Sequence, residues 1–501
     1  MTSPVLWILI SVQLALGLFD IVYHHEMMER LAWRVSQRRE LKLHAARNLA
    51  YAVLFLALGL FELRGFWAML VIAVLGAEVV ITLTDFVEED MSRKLPASER
   101  VTHALLAINY GAVLALLVPV LVGWATQPTA IVPVWYGIVS VLAPLAAAGV
   151  IVFGLRDFFA ARRAQQLVLG NAGELVRALP GRQRVLITGA TGFIGRRLTE
   201  ALASAGHEVI VLARDPAKAA TLRPPFRLIT SLNQIADDAA IDTMINFAGE
   251  PVANGLWTRT KRRRILASRL RMTRDVVRLI ARLQRRPAVM ISGSAIGWYG
   301  TWADESLTEF DGGKRCFGHR VCEAWECAAS KAEKFGVRVV RLRIGIVLGI
   351  EAGMLSNLLV PFEFGLGGPI GSGEQWISWI ERDDLIRLIA HIIATPQLSG
   401  AVNGTAPAPV QNEAFARALG CVLHRPARLR MPASVLHRLA GELADDLLLR
   451  GQRVLPDKAQ ASGFRFKHET LSSALSAMLG QTSAKANSAE FSHALEMQRA
   501  R

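Results

Sequence analysis

The sequence predicts a molecule of two parts: an all-α bundle of about five helices, and an α/β domain with a doubly wound parallel sheet and a small C-terminal helical cap. Two observations carry this prediction. Apolar residues make up 52% of the 501 residues, and they are concentrated in the first third of the chain. Near residue 190, a glycine-rich turn separates an apolar strand pattern from a helix pattern, which is typical of parallel βαβ units.

The first third contains five apolar runs, each near the length that crosses a bilayer: 4–23, 48–63, 66–84, 103–124 and 131–154. The first run lacks both a basic segment before it and a cleavage site after it, so we interpret it as a retained span and not as a signal peptide. The predicted domains are a transmembrane bundle (1–155), a juxtamembrane linker (156–182), an α/β domain (183–410), a C-terminal substrate-side domain (411–480) and a disordered tail (481–501).

Basic residues predict the orientation of the bundle. Segments 27–47 and 85–101 and the stretch after the last span are rich in arginine, whereas the alternate loops carry one basic residue, Arg64. Because basic loops stay in the cytoplasm, we expect an inner-membrane protein of several spans. Its N-terminus would lie outside and its α/β domain in the cytoplasm.

The formal net charge of +15 indicates an anionic partner. The chain has no helix-turn-helix, zinc-finger or RNA-binding pattern, so we expect no nucleic acid. The membrane is the expected partner, an anionic small-molecule substrate is a second, and the oligomeric state is not predicted. Twelve basic residues lie in 259–286, where arginines recur every three or four residues as one stripe of a helix. That stripe is either solvated surface or a face for anionic lipid.

The cysteines give a weaker signal. The chain has four, with no C-x-x-C pair among them. We therefore expect reduced thiols and not a disulfide framework.

Ionisable residues crowd the ends of four predicted spans on one side of the bundle. Imidazoles and carboxylates that converge from several helices are the means by which bundles bind metal ions. Alternatively, these side chains lie at the interface and pair with neighbouring arginines. The candidate ligands of a metal or proton-handling site are His24, His25, Glu78, Glu99 and His103.

Residues 184–188 form a buried-strand pattern, and Gly189-Ala-Thr-Gly192-Phe-Ile-Gly195 follows at once. A helix pattern over 196–205 and a strand pattern over 207–213 complete the unit. The glycines allow the tight turn, the approach of a pyrophosphate and helix–strand packing, while the helix N-terminus faces the phosphates. The sequence therefore predicts an NAD(P)-binding Rossmann domain. Its predicted loop ligands are Gly189, Thr191, Gly192, Phe193, Ile194 and Gly195.

The second strand ends at Arg214-Asp215. An arginine at this tip suits the 2′-phosphate of NADP, whereas an acidic residue binds the ribose hydroxyls of NAD. Because Arg214 comes first and Lys218 follows, we favour NADP, with NAD as the alternative.

The spacing Gly-x-x-Gly-x-x-Gly resembles the extended short-chain dehydrogenase/reductase superfamily. Asn246-Phe-Ala-Gly249 resembles its fourth-strand motif, 291–300 its fifth-strand motif and Asp383-Asp384 a late acidic motif. The resemblance implies that Asn246, Ala248 and Gly249 border the cofactor.

A closer resemblance is to an atypical branch, the epimerase-family or SulA-like homologues that end in a domain of unknown function. It covers about 183–475 and excludes the membrane third. Its motifs are 246–251, Trp257, Ser268-Arg269, 293–300, 319–326, 365–373 and 451–456.

The superfamily uses a Tyr-x-x-x-Lys pair and a serine, the tyrosine exchanging a proton while hydride moves. Ser294 matches the serine, but the region expected to hold the pair, 316–326, contains neither tyrosine nor lysine. Gly318 or His319 takes the tyrosine position, and Cys322 or Glu323 the lysine position. The catalytic candidates are Ser294, His319 and Tyr299. An imidazole is the usual acid–base group of enzymes at neutral pH, which makes His319 a candidate. Alternatively, His319 is a hydrogen-bonded histidine that caps a helix or lines the cleft.

Three functions are compatible with this sequence. The first is a membrane-tethered NADP(H)-dependent oxidoreductase or epimerase-like enzyme. The second is a non-catalytic dinucleotide-binding sensor, and the third is an electron-donating domain for a metal site in the bundle. The glycine-rich loop 365–373 is either a cradle for an anionic ligand or a set of turns.

Overall fold

The structure is a computed structural model that describes residues 3–93, 95–166, 171–252, 258–440 and 450–480. The chain divides into two compact units, Met1–Val168 and Leu169–Arg501. The predicted tail (481–501) and Trp257 lie outside the described residues.

The first unit consists of five long helices. The first helix continues without a break as a π-helix, Asp20–Glu29. A short antiparallel pair, β1 (Phe61–Arg64) and β2 (Ala130–Pro133), closes the opposite end. The helices are α1 (Pro4–Phe19), α2 (Arg38–Leu60), α3 (Phe66–Ser92), α4 (Ala97–Ala125) and α5 (Ile138–Gln166).

All five helices are long and apolar enough to cross a membrane. Large apolar side chains such as Ile8, Met69 and Ile108 are exposed, whereas ionisable side chains such as Glu78 and Glu99 are fully buried. This distribution is the reverse of that in a water-soluble bundle. The helices extend beyond the predicted runs, since α2 begins ten residues early and α5 ends twelve residues late. Arginine, glutamate and lysine are good helix formers, so the polar ends continue the helices where hydropathy falls.

The second unit is built on a seven-stranded parallel sheet, which confirms the predicted fold class. The strand order is β13-β9-β7-β6-β3-β4-β5. Its strands are β3 (Arg184–Thr188), β4 (Glu208–Leu212), β5 (Arg227–Ile229), β6 (Thr243–Asn246), β7 (Val289–Ala295), β9 (Arg338–Ile344) and β13 (Gly400–Gly404). The chain reverses direction across the sheet between β3 and β6. Their carboxyl ends therefore form the switch point at which such sheets bind ligands.

Helices cover both faces of this sheet, and ten are described. They are α6 (Phe193–Ser204), α7 (Pro216–Ala219), α8 (Arg259–Arg282), α9 (Phe317–Ser330), α10 (Gly353–Glu363), α11 (Arg382–Ala394), α12 (Asn412–Leu423), α13 (Ala433–Ala440), α14 (Asp457–Ala461) and α15 (Leu471–Met478). Helices α6 and α11 contribute to the core on one face, and α8 and α9 to the core on the other.

The remaining strands are short pairs outside the main sheet. They are β8 (Ser306–Leu307), β10 (Ile346–Leu348), β11 (Trp376–Ile377), β12 (Trp379–Glu381), β14 (Val410–Gln411) and β15 (Arg453–Val454). The pairing of β15 with β8 attaches the C-terminal segment to the sheet domain. Phe464 and Phe466 add to this attachment, because they are buried in the core beside α6 and α11.

Candidate functional site

The glycine loop lies between β3 and α6, at the carboxyl edge of the sheet. Gly189 has a φ of +78°, and a Cβ there would lie 2.7 Å from the carbonyl carbon of Phe247. A Cβ on Gly195 would lie 2.2 Å from the carbonyl oxygen of Gly189. These two positions accept only glycine, which keeps the loop tight. Gly192 is the N-cap residue of α6 and is exposed, so the first amides of that helix face the open edge.

The loop after β6 borders the same edge, but Asn246 does not face it. The side chain of Asn246 is buried, accepts a hydrogen bond from Thr188 at 2.7 Å and donates one to Thr273 at 2.9 Å. Asn246 therefore fastens β6 to β3 and α8. Ala248 and Gly249 follow it at the surface, and Gly249 packs on the Arg269 side chain.

Two charged residues, Arg214 and Asp215, follow the end of β4 and have different roles. The Asp215 carboxylate accepts a hydrogen bond from the amide of Ala217 at 3.0 Å and thereby caps α7. Arg214 is exposed. A hydrogen bond from Lys261 and, less strongly, the charge of Arg214 hold the pKa of the Glu250 carboxyl below its usual range. Arg214 therefore lies near Glu250 in the loop after β6, and its guanidinium group makes no hydrogen bond or ion pair with the described residues.

Ser294, at the end of β7, belongs to a closed buried network. Its hydroxyl donates to Glu326 at 2.7 Å, and Glu326 forms an ion pair with Arg343 at 2.9 Å. Arg343 also donates to the Tyr299 hydroxyl at 3.2 Å, which in turn donates to Asn403 at 2.8 Å. The network joins β7, α9, β9 and β13. The sequence patterns did not predict these roles for Glu326 and Arg343, although Glu326 is the last residue of the motif 319–326.

This network makes Tyr299 a poor acid–base group. Its ring is fully buried, and burial raises the pKa of the hydroxyl to about 12. Cys322, one of the two residues at the lysine position, is also buried, and burial raises the pKa of its thiol to about 11. All four cysteines are free, which agrees with the predicted thiols.

His319 lies on the first turn of α9, and its ring is buried. Its Nδ1 hydrogen-bonds to the carbonyl oxygen of Trp298, so the neutral imidazole carries its lone pair on Nε2. Glu323 lies 3.9 Å from that nitrogen. Of the three catalytic candidates, His319 has the geometry of a proton-exchanging group.

The late acidic motif has a structural role. Asp383 forms an ion pair with Arg197 at 2.8 Å, and Asp384 accepts the amides of Lys467 and His468 at 2.9 Å each. The glycine-rich loop 365–373 packs on residues 425–431, and a Cβ on Gly368 would lie 2.3 Å from the Leu429 carbonyl oxygen. Close packing thus explains this glycine.

In the first unit, the structure brings together only part of the predicted metal set. Asp20, His25, Glu99 and His103 are buried, with one possible ligand atom from each within 4.8 Å of the others. His24 lies outside this group, since it hydrogen-bonds to Asp20 and Ser98. Glu78 also lies outside, where it accepts hydrogen bonds from Thr82 and Tyr110.

Comparison with known proteins agrees with this fold and site. Residues 185–403 match the NAD dependent epimerase/dehydratase family, and residues 431–478 match a domain of unknown function, DUF1731. The chain is 39% identical over 302 residues to the epimerase family protein SDR39U1 homolog, chloroplastic, of Arabidopsis thaliana, which covers 59% of this chain and 86% of that protein. It is 36% identical over 303 residues to the epimerase family protein YfhF of Bacillus subtilis, which covers 59% of this chain and 97% of that protein.

A crystal structure of human epimerase family protein SDR39U1 (isoform 2) with NADPH superposes on the second unit. The TM-score is 0.54 at 30% identity, and the match covers 60% of this chain and all of that one. The fold and the glycine loop thus define the second unit as a Rossmann-type nucleotide-binding domain. The chain belongs to the NAD dependent epimerase/dehydratase family, in the group of SDR39U1-like proteins that carry the DUF1731 domain.

Proposed function

We propose that the second unit binds NADP(H) at the carboxyl edge of its sheet and that the five helices tether it to a membrane. The observation that carries the cofactor choice is the division of roles at the tip of β4. Asp215 is occupied as a helix cap, while Arg214 keeps an exposed guanidinium group beside the loop after β6. The human relative crystallised with NADPH supports the same choice.

The test is the Arg214→Ala variant of the full-length protein in detergent. Loss of a charge-assisted contact to the 2′-phosphate weakens binding by about 1.5–3 kcal/mol, which is a ten- to hundredfold increase in Kd. Calorimetric titration with NADPH and NADH measures it, and NADH affinity should stay unchanged. Arg227→Ala is the matched control, because Arg227 is an exposed arginine at the start of β5, on the opposite edge of the sheet. Equal losses for both cofactors would contradict the proposal.

For the reaction, we propose oxidoreductase or epimerase-like chemistry in which His319 exchanges the proton. The usual tyrosine and lysine are absent from 316–326, and Tyr299 is held in the buried network, so His319 is the candidate proton-exchanging group at the start of α9. The proposed substrate is small and anionic, in keeping with the excess of basic residues. Its chemical identity is unknown.

A second function, a non-catalytic NADP(H) sensor, is favoured by the closed network around Ser294. Oxidation of NADPH, followed by absorbance against a panel of nucleotide sugars and small carbonyl compounds, separates the two functions. Turnover that disappears in His319→Gln while NADPH affinity is kept supports the enzyme. Tight NADPH binding without turnover by the wild type against any compound supports the sensor.

We further propose an inner-membrane location with the N-terminus outside and the second unit in the cytoplasm. The support is the five apolar helices together with the basic segments at one end of the bundle. A reporter that fluoresces only in the cytoplasm, fused after residue 480, should be bright. The same reporter fused after residue 64 should be dark, and the opposite pattern would invert the orientation.

The arginine stripe of α8 supports contact with anionic lipid. Arg271, Arg274 and Arg278 are exposed, although Arg278 also pairs with Asp275 at 3.0 Å. Arg282 is held by Asp237 and by the carbonyl of Leu232, and α8 ends there, before Arg285. Three arginines of the stripe therefore remain exposed, each contributing about 1 kcal/mol near an anionic surface.

Flotation of the second unit alone with anionic and neutral vesicles tests this contact. The Bacillus subtilis relative is matched over 97% of its length by this part of the chain, so the unit is expected to fold by itself. Binding to anionic vesicles should fall with salt and in the triple arginine-to-glutamine variant. Equal binding to both vesicle types would make the stripe ordinary surface.

A further inference from the structure

A cluster of imidazoles and carboxylates lies inside the helix bundle, at the end where α1 and α3 finish and where α2 and α4 begin. We call it the His–carboxylate cluster and define it as Asp20, His25, Glu99 and His103. Asp20 and His25 lie on the π-helix, and Glu99 and His103 lie on the first two turns of α4. A second group, His25, His44 and Glu89, adjoins it.

The separations inside the cluster are those of ligands around one ion. Asp20 Oδ2 lies 3.4 Å from His25 Nε2 and 3.2 Å from His103 Nε2, and His25 Nε2 lies 3.8 Å from Glu99 Oε1. Two ligands on opposite sides of a transition-metal ion are about 4.2 Å apart, and adjacent ones are closer. All four candidate ligand atoms lie within 4.8 Å of one another. Side-chain movements of a few tenths of an ångström would therefore bring them to metal-binding distances.

The backbone that carries Asp20 and His25 is unusual. A ten-residue π-helix is rare, and π-helical segments are frequently found at functional sites. Its i→i+5 hydrogen bonding brings positions four and five residues apart close together. As a result, His24 and His25 both reach the Asp20 carboxylate, at 2.8 and 3.4 Å. The segment ends at Arg30, which adopts a left-handed backbone with a φ of +51°.

Several buried polar atoms here make no hydrogen bond with any described residue. They are Nε2 of His25, Nε2 of His44, Oδ1 of Asp85 and Oε2 of Glu89. Carboxylate oxygens lie within ion-pair distance of both imidazoles, but the angles do not make hydrogen bonds. Such atoms are costly to bury without a partner, and a metal ion is one partner that imidazole and carboxylate share.

The charges of the surroundings are unbalanced. Among the described residues, three guanidinium groups, Arg47, Arg93 and Arg156, face the buried carboxylates at this end of the bundle. Those seven carboxylates are Asp20, Glu26, Glu40, Asp85, Glu89, Glu99 and Asp157. With neutral imidazoles, negative charge is in excess. Buried charges are retained where they are paired or coordinate a metal, so a bound cation would balance this excess.

We propose that Asp20, His25, Glu99 and His103 bind one divalent first-row transition-metal ion, such as iron, manganese, cobalt or zinc. Two imidazoles and two carboxylates suit these ions, whereas magnesium and calcium take all-oxygen sites and copper(I) prefers sulfur. No cysteine lies in the first unit.

Neighbouring side chains fit the role of orienting the ligands. Metal-bound histidines usually donate their second ring nitrogen to a carboxylate, and Nδ1 of His103 faces Glu89 at 3.3 Å. His24 holds the other oxygen of Asp20 at 2.8 Å, and Arg93 donates to both oxygens of Glu99 at 2.7 and 2.9 Å. These contacts fix the carboxylates while leaving one oxygen of Asp20 aimed at both imidazoles.

The test measures metal in the full-length protein, purified in detergent through a tag without histidines. Elemental analysis should find about one transition-metal ion per chain. In His103→Asn and Glu99→Gln, the metal content should fall at least tenfold. Glu78→Gln is the matched control, because Glu78 is an equally buried carboxylate of the same bundle that contacts hydroxyls and lies outside the cluster. Its metal content should equal that of the wild type.

Titration of chelator-treated wild type with Co²⁺ keeps the test independent of variant folding. Visible ligand-field absorption that saturates at one equivalent supports a site of nitrogen and oxygen ligands. Wild-type protein that holds no metal and gives no cobalt spectrum overturns the proposal, since protons on the imidazoles would then balance the carboxylates. An equal loss of metal in Glu78→Gln would also overturn it, because the loss would reflect general damage to the bundle.

Discussion

The two units treat buried charge in opposite ways. In the α/β unit, Glu326 faces Arg343 and Asp383 faces Arg197, each as an ion pair shorter than 3 Å, while Asp384 accepts two backbone amides. In the helix bundle, carboxylates outnumber guanidinium groups, and four histidines, His24, His25, His44 and His103, lie among them. Among the described residues, the buried imidazole nitrogens and carboxylate oxygens without a hydrogen bond all belong to the bundle.

This difference distinguishes charged groups that hold the fold together from charged groups that can bind a ligand. A pair whose hydrogen bonds are all made joins the elements that carry it, as Glu326 and Arg343 join α9 to β9. It offers nothing to a ligand. A cluster with excess negative charge and ligand atoms that make no hydrogen bond favours the binding of a cation. Ser294, which matches the catalytic serine of the superfamily, thus belongs to a network of satisfied hydrogen bonds. The unsatisfied groups lie in the helix bundle, outside the residues that match the family.

The largest effect on stability is expected from breaking the buried ion pair between Glu326 and Arg343. Glu326→Ala leaves Arg343 buried without its partner and removes the acceptor of the Ser294 hydroxyl. Breaking a buried pair from one side costs about 3–5 kcal/mol of unfolding free energy. Urea unfolding of the second unit measures the loss. Adding Arg343→Met should restore part of it, and a full loss in the double variant would mean that packing, not charge, is responsible.

The two units also differ in how far their sequences predict them. The strand 184–188 and the glycine turn follow from local patterns, and the structure confirms them. The helical stripe of arginines is confirmed only in part, because α8 ends at Arg282, before Arg285. The roles of Ser294 and Asn246 depend on partners distant in the sequence, Glu326 and Thr273, which no local pattern specifies.

For the bundle, hydropathy located the five helices but not their polar ends. Those ends carry Glu99 of the cluster on α4 and, in the adjoining group, His44 on α2, both before the apolar runs begin. The π-helix that turns His25 toward Asp20 has no sequence signature comparable to the glycine turn, so helix periodicity could not choose between His24 and His25.

Glu381 offers a way to challenge the comparison, because it is a buried carboxyl of the α/β unit that forms no ion pair with the described residues. Its Oε2 accepts the amide of Asp384 at 2.8 Å, at the start of α11. Burial, followed by the charge of Asp383, raises its pKa to about 7. A carboxyl raised in this way contributes stability below its unfolded pKa, and this contribution is lost as pH rises through the folded value.

Glu381→Gln stays neutral and keeps the accepting oxygen. Relative to wild type, its unfolding free energy should be unchanged at pH 4 and higher at pH 8, by up to about 3 kcal/mol. Urea unfolding of the second unit at both pH values measures this difference. A variant that is less stable at pH 8 would show that the ionised carboxylate is already well satisfied.

The smallest effect on stability is expected for Glu89→Gln in the chelator-treated full-length protein. This variant tests most directly whether the buried carboxylates of the bundle need a cation. Glu89 faces His44 and His103 but also adds to the excess of negative charge. Removing its charge relieves repulsion while the amide keeps a hydrogen-bonding oxygen, so we expect no loss beyond about 1 kcal/mol. Thermal unfolding in detergent, followed by circular dichroism, measures it. In the metal-loaded protein the same variant should bind metal more weakly, because Glu89 orients His103 without being one of the four ligands. A loss as large as that of Glu326→Ala without metal would mean that the bundle balances its charge internally and needs no cation.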